Sequence, residues 1–311
     1  MTSVLTISGL EKRFGQQQVL KDFNLDVRQG EIVGLLGPNG CGKSTVLNIV
    51  SQLLPAKAAA IELMGQPIAK LGVKARTIMG VCSQDRALYP DLLPEENLDF
   101  FARLYGLSTI ERRARIEELM NLFGLAAHAK TRVGRLSGGW QQRLHLAVSI
   151  VHQPQLLILD EPTAAVDVAA KIELWRLIEN LRKSGTSILL TTHQLSEAEQ
   201  LCDRVALMSH GRVAALGSVS ELLSRLQGQT VVKVQSSDHQ STRSHALRLG
   251  WRGLQSAGEL SFLLDQSITL SEAASALDGP EVSAISVQAL TLEDAYLELI
   301  GQFDQIDQNT L

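Results

Sequence analysis

No run of apolar residues in this chain approaches the ~20 needed to cross a bilayer. If the protein acts at a membrane, another chain does the crossing. Cysteine is scarce. Cys41, Cys82 and Cys202 stand far apart, a spacing that suits neither a zinc site nor a disulfide framework. That usage fits a reducing, cytoplasmic setting. Positive charge is not in excess either. Lys and Arg total 29 against 33 Asp and Glu, a net charge of −4, which argues against a nucleic-acid partner. Met1-Thr2-Ser3-Val4 opens without a basic region followed by an apolar stretch, so no signal peptide is expected. What the chain does have is bulk. Its 311 residues, 45% of them hydrophobic, can build two domains with a sizeable core.

The most informative stretch is Gly37-Pro38-Asn39-Gly40-Cys41-Gly42-Lys43-Ser44-Thr45. It matches the phosphate-binding pattern G-x-x-x-x-G-K-[ST] in full. Ile32–Leu36 before it is a short apolar run of strand type, and Val46–Val50 after it continues as a helix. Glycines let consecutive N–H groups curl around phosphate oxygens. The helix opening near Gly42 adds unpaired N–H groups and its positive dipole end. Lys43 supplies a mobile charge for the β- and γ-phosphates, and the Ser44 hydroxyl is placed to ligate Mg²⁺. The loop alone says nucleoside triphosphate and does not say what the energy is used for.

Around it the chain alternates strand and helix signals. Val19, Phe23, Leu25 and Val27 follow the period of a half-buried antiparallel strand. Phe14 by itself reads as an ordinary core or turn aromatic. Ile78–Gln84 reads as a strand ending on a polar residue, followed by helices over Glu95–Leu104 and Glu111–Met120. The charges of the second helix read as a solvated face. In Leu136-Ser137-Gly138-Gly139-Trp140, Ser137 is a good N-cap for a helix starting near Gly139. That end is either a capped helix after a flexible turn or an anion site. Leu156–Leu159 predicts a buried parallel strand with Asp160 and Glu161 at its carboxyl edge, where ligands of open α/β sheets bind. Two adjacent acids there suit metal ligation and base chemistry. A helix over Ile172–Leu181 and a buried strand over Ser187–Thr192 follow, the strand ending at His193. A lone histidine there is more often structural, but this strand also ends on the ligand side.

These motifs, in this order, resemble the ATP-binding cassette (ABC) ATPases along roughly residues 2–220. The Ser-Gly-Gly segment before the acidic strand separates that family from other phosphate-loop proteins. The resemblance implies an α/β fold: a P-loop core with a RecA-like parallel sheet, an antiparallel β subdomain and a helical subdomain over about residues 85–155. It implies ATP and Mg²⁺ as ligands. Phe14 would stack on adenine, and Gly37, Pro38, Asn39, Gly40, Cys41, Gly42, Lys43, Ser44 and Thr45 would hold the phosphates. Gln84 would touch Mg²⁺ and sense a transmembrane partner. Asp160 would hold Mg²⁺ through water, Glu161 would be the general base, and His193 would contact the γ-phosphate. Two such chains would pair head to tail, with Ser137, Gly138 and Gly139 of one covering the ATP of the other and Asp167 at the seam. The chain departs from the family pattern at Trp140, where glutamine is commonest, and in Pro162-Thr163-Ala164-Ala165-Val166-Asp167, where alanine replaces a frequent glycine.

After about residue 225 the character changes. Arg225–Gln229 reads as a connector, and a small α+β domain over 225–311 is expected beyond a cassette over 1–224. Strands are predicted at Thr230–Val234, Leu260–Leu264 and Val282–Val287, with helices at Ser241–Leu249, Ser271–Leu277 and Thr291–Gly301. The closing segment is similar to the C-terminus of ATPases that drive exporters of the ABC-2 type. The favoured expectation is an ATPase subunit at the cytoplasmic face of the cell membrane, bound to an integral membrane permease and to a second ATPase subunit. The rivals are a cassette ATPase working on ribosomes or DNA, and a ligand-sensing regulatory ATPase.

Overall fold

The computed structural model describes residues 2–55, 60–164, 166–226, 228–254, 260–278 and 282–309. Ala165 of the loop after Glu161 and Gln227 of the connector lie outside the described residues. The chain divides into two compact units, Met1–Val213 and Ala214–Leu311.

The first unit opens with two long antiparallel strands, β1 (Ser3–Phe14) and β2 (Gln17–Arg28). Phe23, Leu25 and Val27 are buried, as their alternation predicts, but further back it is Leu20 that is fully buried while Val19 is only partly so. The phase changes at Asp22, which adopts a left-handed φ of 47°. An extra residue of this kind moves every side chain beyond it to the other face. Next comes β3 (Ile32–Leu36), then α1 (Lys43–Val50). The strands β4 (Ala60–Leu63) and β5 (Gln66–Pro67) complete a four-stranded sheet in the order β2-β1-β4-β5. Short helices α2 (Ile68–Leu71) and α3 (Val73–Ile78) lead to β6 (Met79–Cys82).

Between β6 and β7 (Leu156–Asp160) the described elements are all helical: α4 (Pro94–Leu104), α5 (Thr109–Leu122), two short 3-10 helices (Leu125–His128 and Val133–Arg135) and α6 (Gly138–Ser149). The unit continues with α7 (Val168–Lys183), β8 (Ser187–Thr192), α8 (Leu195–Leu201), β9 (Arg204–Ser209) and the start of β10 (Arg212–Gly217). A second sheet has the order β10-β9-β3-β8-β7-β6, and its pairs from β9 to β6 are parallel. All five residues of β3 and all six of β8 are buried. Strands covered on both faces read as near-continuous apolar runs, interrupted in β8 by Ser187 and the closing Thr191-Thr192. The parallel register sends the chain ends after β3, β8, β7 and β6 to one edge, and the candidate site lies there.

The second unit begins inside β10, so α9 (Val219–Ser224) belongs to it. The division therefore falls before α9, whereas the sequence reading ends the first domain after it. The reason is packing: Leu223 and Leu226 join Val231, Leu263 and Ala295 in one cluster. The unit then runs β11 (Thr230–Ser236), α10 (His239–Arg248), β12 (Arg252–Leu254), β13 (Leu260–Leu264), α11 (Leu270–Ala276), β14 (Val282–Ala289) and α12 (Leu292–Asn309). Its sheet has the order β12-β13-β11-β14 with antiparallel pairs. That is a β-α-β-β-α-β arrangement of ferredoxin-like type. The three-residue β12 carries no periodic signal and was not expected. Val232, Val234 and Phe262 pack with α10 and α11 on one face, while Val231 and Leu263 pack with α9 and α12 on the other.

Candidate functional site

The phosphate loop spans the gap between β3 and α1. Gly42 caps α1 at φ 112°, in the left-handed region, and a Cβ there would lie 2.7 Å from Leu20 Cδ2 of β2. At Gly37 the constraint is space, since a Cβ would come within 2.7 Å of the Met208 carbonyl oxygen. Pro38, Asn39 and Gly40 are exposed, and Thr45 is partly buried. The Lys43 ammonium is drawn into the loop, donating to the Gly37 carbonyl at 2.7 Å and to the Pro38 carbonyl at 3.1 Å. The Cys41 thiol is buried beneath the loop, and burial pushes its pKa up. No side chain caps the first turn of α1, which leaves its first N–H groups for another acceptor. This is the chemistry of an anion cradle.

Two strand ends, those of β7 and β8, bring the other candidates to this cradle. Ser44 Oγ donates to Asp160 Oδ1 at 3.3 Å. Asp160 ends β7 opposite Thr191 of β8, and Thr191 Oγ1 donates to the same carboxylate oxygen at 2.5 Å. The next residue, Glu161, turns out of the strand with φ 49°. A left-handed non-glycine residue costs about 1–2 kcal/mol. It is held by its N–H, which is shared between the Thr191 carbonyl and hydroxyl, both at 3.1 Å. The twist brings Glu161 Oε1 to 3.1 Å from Nδ1 of His193, the residue that follows β8. A hydroxyl and a carboxylate therefore adjoin the lysine loop on one side, and a carboxylate–imidazole pair stands beside them. The first pair fits a hard divalent cation bound partly through water. The second can take and pass a proton.

Not every predicted residue enters this cluster. Gln84 lies exposed on the loop after β6, the strand beside β7. Phe14 ends β1, 47% exposed, with the Lys12 ammonium 5.2 Å from its ring centre. Ser137 stands at the N-cap of α6, as expected, but its side chain makes no capping bond. Ser137 and Gly138 are exposed, and Gly139 is buried. Asp167 caps α7 by accepting from Ala170 N at 3.0 Å. Trp140, the departure in the signature, packs on His128 and carries Arg143 over its ring at 4.4 Å, so its role is local.

Sequence reasoning missed Thr191, although a polar pair closing an apolar strand is a usable signal. It also missed Glu197. This carboxylate is 1% exposed and accepts from Thr163 Oγ1 at 2.7 Å and Trp175 Nε1 at 3.1 Å. It anchors the segment after Glu161 to the segment after His193, and nothing in its local sequence marks it.

The family described as ABC transporter matches residues 20–164. Over 305 residues the chain is 35% identical to the daunorubicin resistance ATP-binding protein DrrA3 of Streptomyces coeruleorubidus, covering 96% of each chain. The chain belongs to the ATP-binding cassette transporter family. This cassette ATPase is also 34% identical over 302 residues to the Nod factor export ATP-binding protein I of Cupriavidus metallidurans, covering 97% of the cassette chain and 99% of the relative. Among solved structures it is similar to cbiO1 from Clostridium perfringens, described as part of the ABC transporter complex cbiONQ. That match has a TM-score of 0.67 at 27% identity, covering 80% of this chain and 97% of that one. The protein is thus an ATP-binding, ATP-hydrolysing subunit of a transporter, and family membership implies a transmembrane partner. No helix among the described residues is long and apolar enough to cross a membrane.

Proposed function

We propose that this cassette ATPase drives export, as a head-to-tail pair docked on an integral membrane permease at the cytoplasmic face of the membrane. Support for export is the full-length match, across both units, to relatives named for drug resistance and Nod factor export. Support for hydrolysis is one observation above all: Ser44, Thr191 and Asp160 form a bonded group next to the Glu161–His193 pair.

In this reading Lys43 leaves its loop carbonyls for the β- and γ-phosphates, and the loop N–H groups hold the rest. Ser44 and Asp160 would hold Mg²⁺, with Gln84 as a further contact; the ion, when bound, neutralises developing phosphate charge. Glu161 accepts the proton of the attacking water. His193 orients that carboxylate and meets the γ-phosphate. Phe14 offers its exposed face to adenine. Ser137 and Gly138 present an uncapped helix end to the ATP of the second subunit, and Asp167 lies at the seam. The permease would seat on an apolar groove of about 670 Å³ lined by Met79, Val81, Phe101 and Tyr105. Its rim carries Leu53, Val73 and Leu104, at 68%, 78% and 67% exposure. Exposed apolar surface of this kind marks an interaction site, and β6 runs from this groove straight to Gln84.

The pairing is tested with Ser137→Arg. Nucleotide binding by the single chain should persist while turnover is lost, and ATP should drive association in a Glu161→Gln background. Normal turnover by Ser137→Arg, or no association in that background, would sink the pairing.

A further inference from the structure

In the paired reading, Gln84 serves one nucleotide and the Ser137 end of α6 serves the other. One side chain ties the two together. Arg86 lies just beyond Gln84 on the loop that leaves β6. Its guanidinium meets α6 as a fork: Nε donates to Gln142 Oε1 and Nη1 donates to Gln141 Oε1, both at 3.0 Å. Each glutamine passes the connection on. Gln141 Nε2 donates to the carbonyls of Val133 and Leu136, at 3.2 and 3.0 Å, in the segment that leads into Ser137. Gln142, only 5% exposed, places its Nε2 3.8 Å from the sulfur of Cys82, the last residue of β6. The Cys82 sulfur in turn lies 3.3 Å from His145 Nδ1, further along α6.

The loop bearing Gln84 is thereby fastened to α6 at its base, through Cys82, and beyond Gln84, through Arg86. The acceptors are neutral amides, so each bond to the guanidinium is charge-assisted on the donor side and stronger than an amide–amide bond. Two acceptors on successive residues match the planar fork of arginine, which a lysine cannot reproduce. The setting is dry: burial raises the Cys82 thiol to about 12 and lowers the His145 imidazole to about 4, with the Arg86 charge adding to the second effect.

We propose that Arg86 is a positioning residue that couples the Gln84 loop to the Ser137 end of α6, so that the two sites of the pair respond as one. The proposal rests on the head-to-tail reading above. Moving the Gln84 loop then necessarily moves the helix end offered to the other nucleotide.

The test uses the full chain with Arg86→Ala, Arg86→Lys, the pair Gln141→Ala/Gln142→Ala, and all three alanines together. Nucleotide affinity at low protein concentration should stay within about twofold of wild type. The kcat of Arg86→Ala should fall about tenfold, the scale of one lost bond to a charged group, and ATP-driven association in the Glu161→Gln background should weaken likewise. Arg86→Lys should behave as Arg86→Ala. The triple variant should be no slower than the Gln141→Ala/Gln142→Ala pair, because Arg86 reaches α6 through those two glutamines. Wild-type kcat and association in Arg86→Ala would overturn the proposal, as would losses that multiply in the triple variant. Should Arg86→Ala fold poorly, Gln141→Ala alone decides: a several-fold lower kcat at unchanged affinity supports the coupling, and wild-type kcat overturns it. Ser137→Arg separates the two readings. If it loses turnover while Arg86→Ala does not, only the coupling fails; if it keeps turnover, the pairing fails and the coupling with it.

Discussion

Glu161 owes its direction to a backbone conformation that its neighbours enforce, with Thr191 gripping the N–H from β8. The chemistry follows from that single turn. Glu161→Gln keeps the side chain's size but accepts no proton, so ATP binding should survive while single-turnover hydrolysis falls by two or more powers of ten, about the usual worth of a general base. His193→Ala should lower the rate less, with affinity nearly unchanged. If Glu161→Gln hydrolyses ATP at the wild-type rate, His193 becomes the leading base. A second residue-scale expectation concerns acid. His145 is 2% exposed and its pKa is lowered from 6.5 to about 4, first by burial and then by the Arg86 charge. Its folded pKa lies below its unfolded one, so the unfolded chain takes up the proton first as pH falls. Stability from this group is complete above pH 6.5 and is lost as pH falls towards 4, by about 3 kcal/mol at most. Denaturant melts across that window should show the slope in wild type and a flatter profile in His145→Asn.

At the scale of elements, the entry to α1 and the groove beside β6 carry distinct demands. Gly42 joins a left-handed φ to a close approach by Leu20, so Gly42→Ala strains the backbone and crowds β2 together. It should destabilise the first unit by more than about 1 kcal/mol and weaken ATP binding, read by chemical denaturation and nucleotide titration. A Gly42→Ala protein of wild-type stability and affinity would contradict this account of the loop. The groove should behave in the opposite way. Val73 and Leu104 are exposed, so Val73→Glu and Leu104→Glu should leave stability within about 0.5 kcal/mol and ATP binding intact, yet reduce co-purification with the permease. Undiminished co-purification would move the docking surface elsewhere.

For the whole molecule, the position of α9 matters most. Leu223 and Leu226 pack with β11, β13 and α12, so a cut after Ser224 strips that helix of its partners and leaves apolar side chains bare. A cut after Gly217 removes α9 with its unit and keeps β10 complete. The shorter chain is expected to bind ATP and to melt cooperatively, and the chain ending at Ser224 is expected to be less soluble. The two are compared by nucleotide binding and by recovery in the soluble fraction. The reverse ranking would show that α9 belongs with the first unit.

The sequence alone determined the local motifs of the first unit and, through the resemblance they carry, its family. The phosphate loop, the acidic pair after an apolar strand and the Ser-Gly-Gly helix end are local patterns, because each depends on a few consecutive residues with special backbone or charge. The buried strands β3, β7 and β8 were legible for the same reason: a strand covered on both faces reads as a near-continuous apolar run. Only the tertiary structure decided what depends on residues far apart in the chain. Thr191 reaches Asp160 and Glu161 because β8 lies beside β7, and Arg86 reaches α6 across the helical segment. Glu197 gains its partners from two other elements. The bulge at Asp22, the strand β12 and the allegiance of α9 were likewise settled by packing, where burying a shared apolar face outweighs what any short stretch prefers by itself.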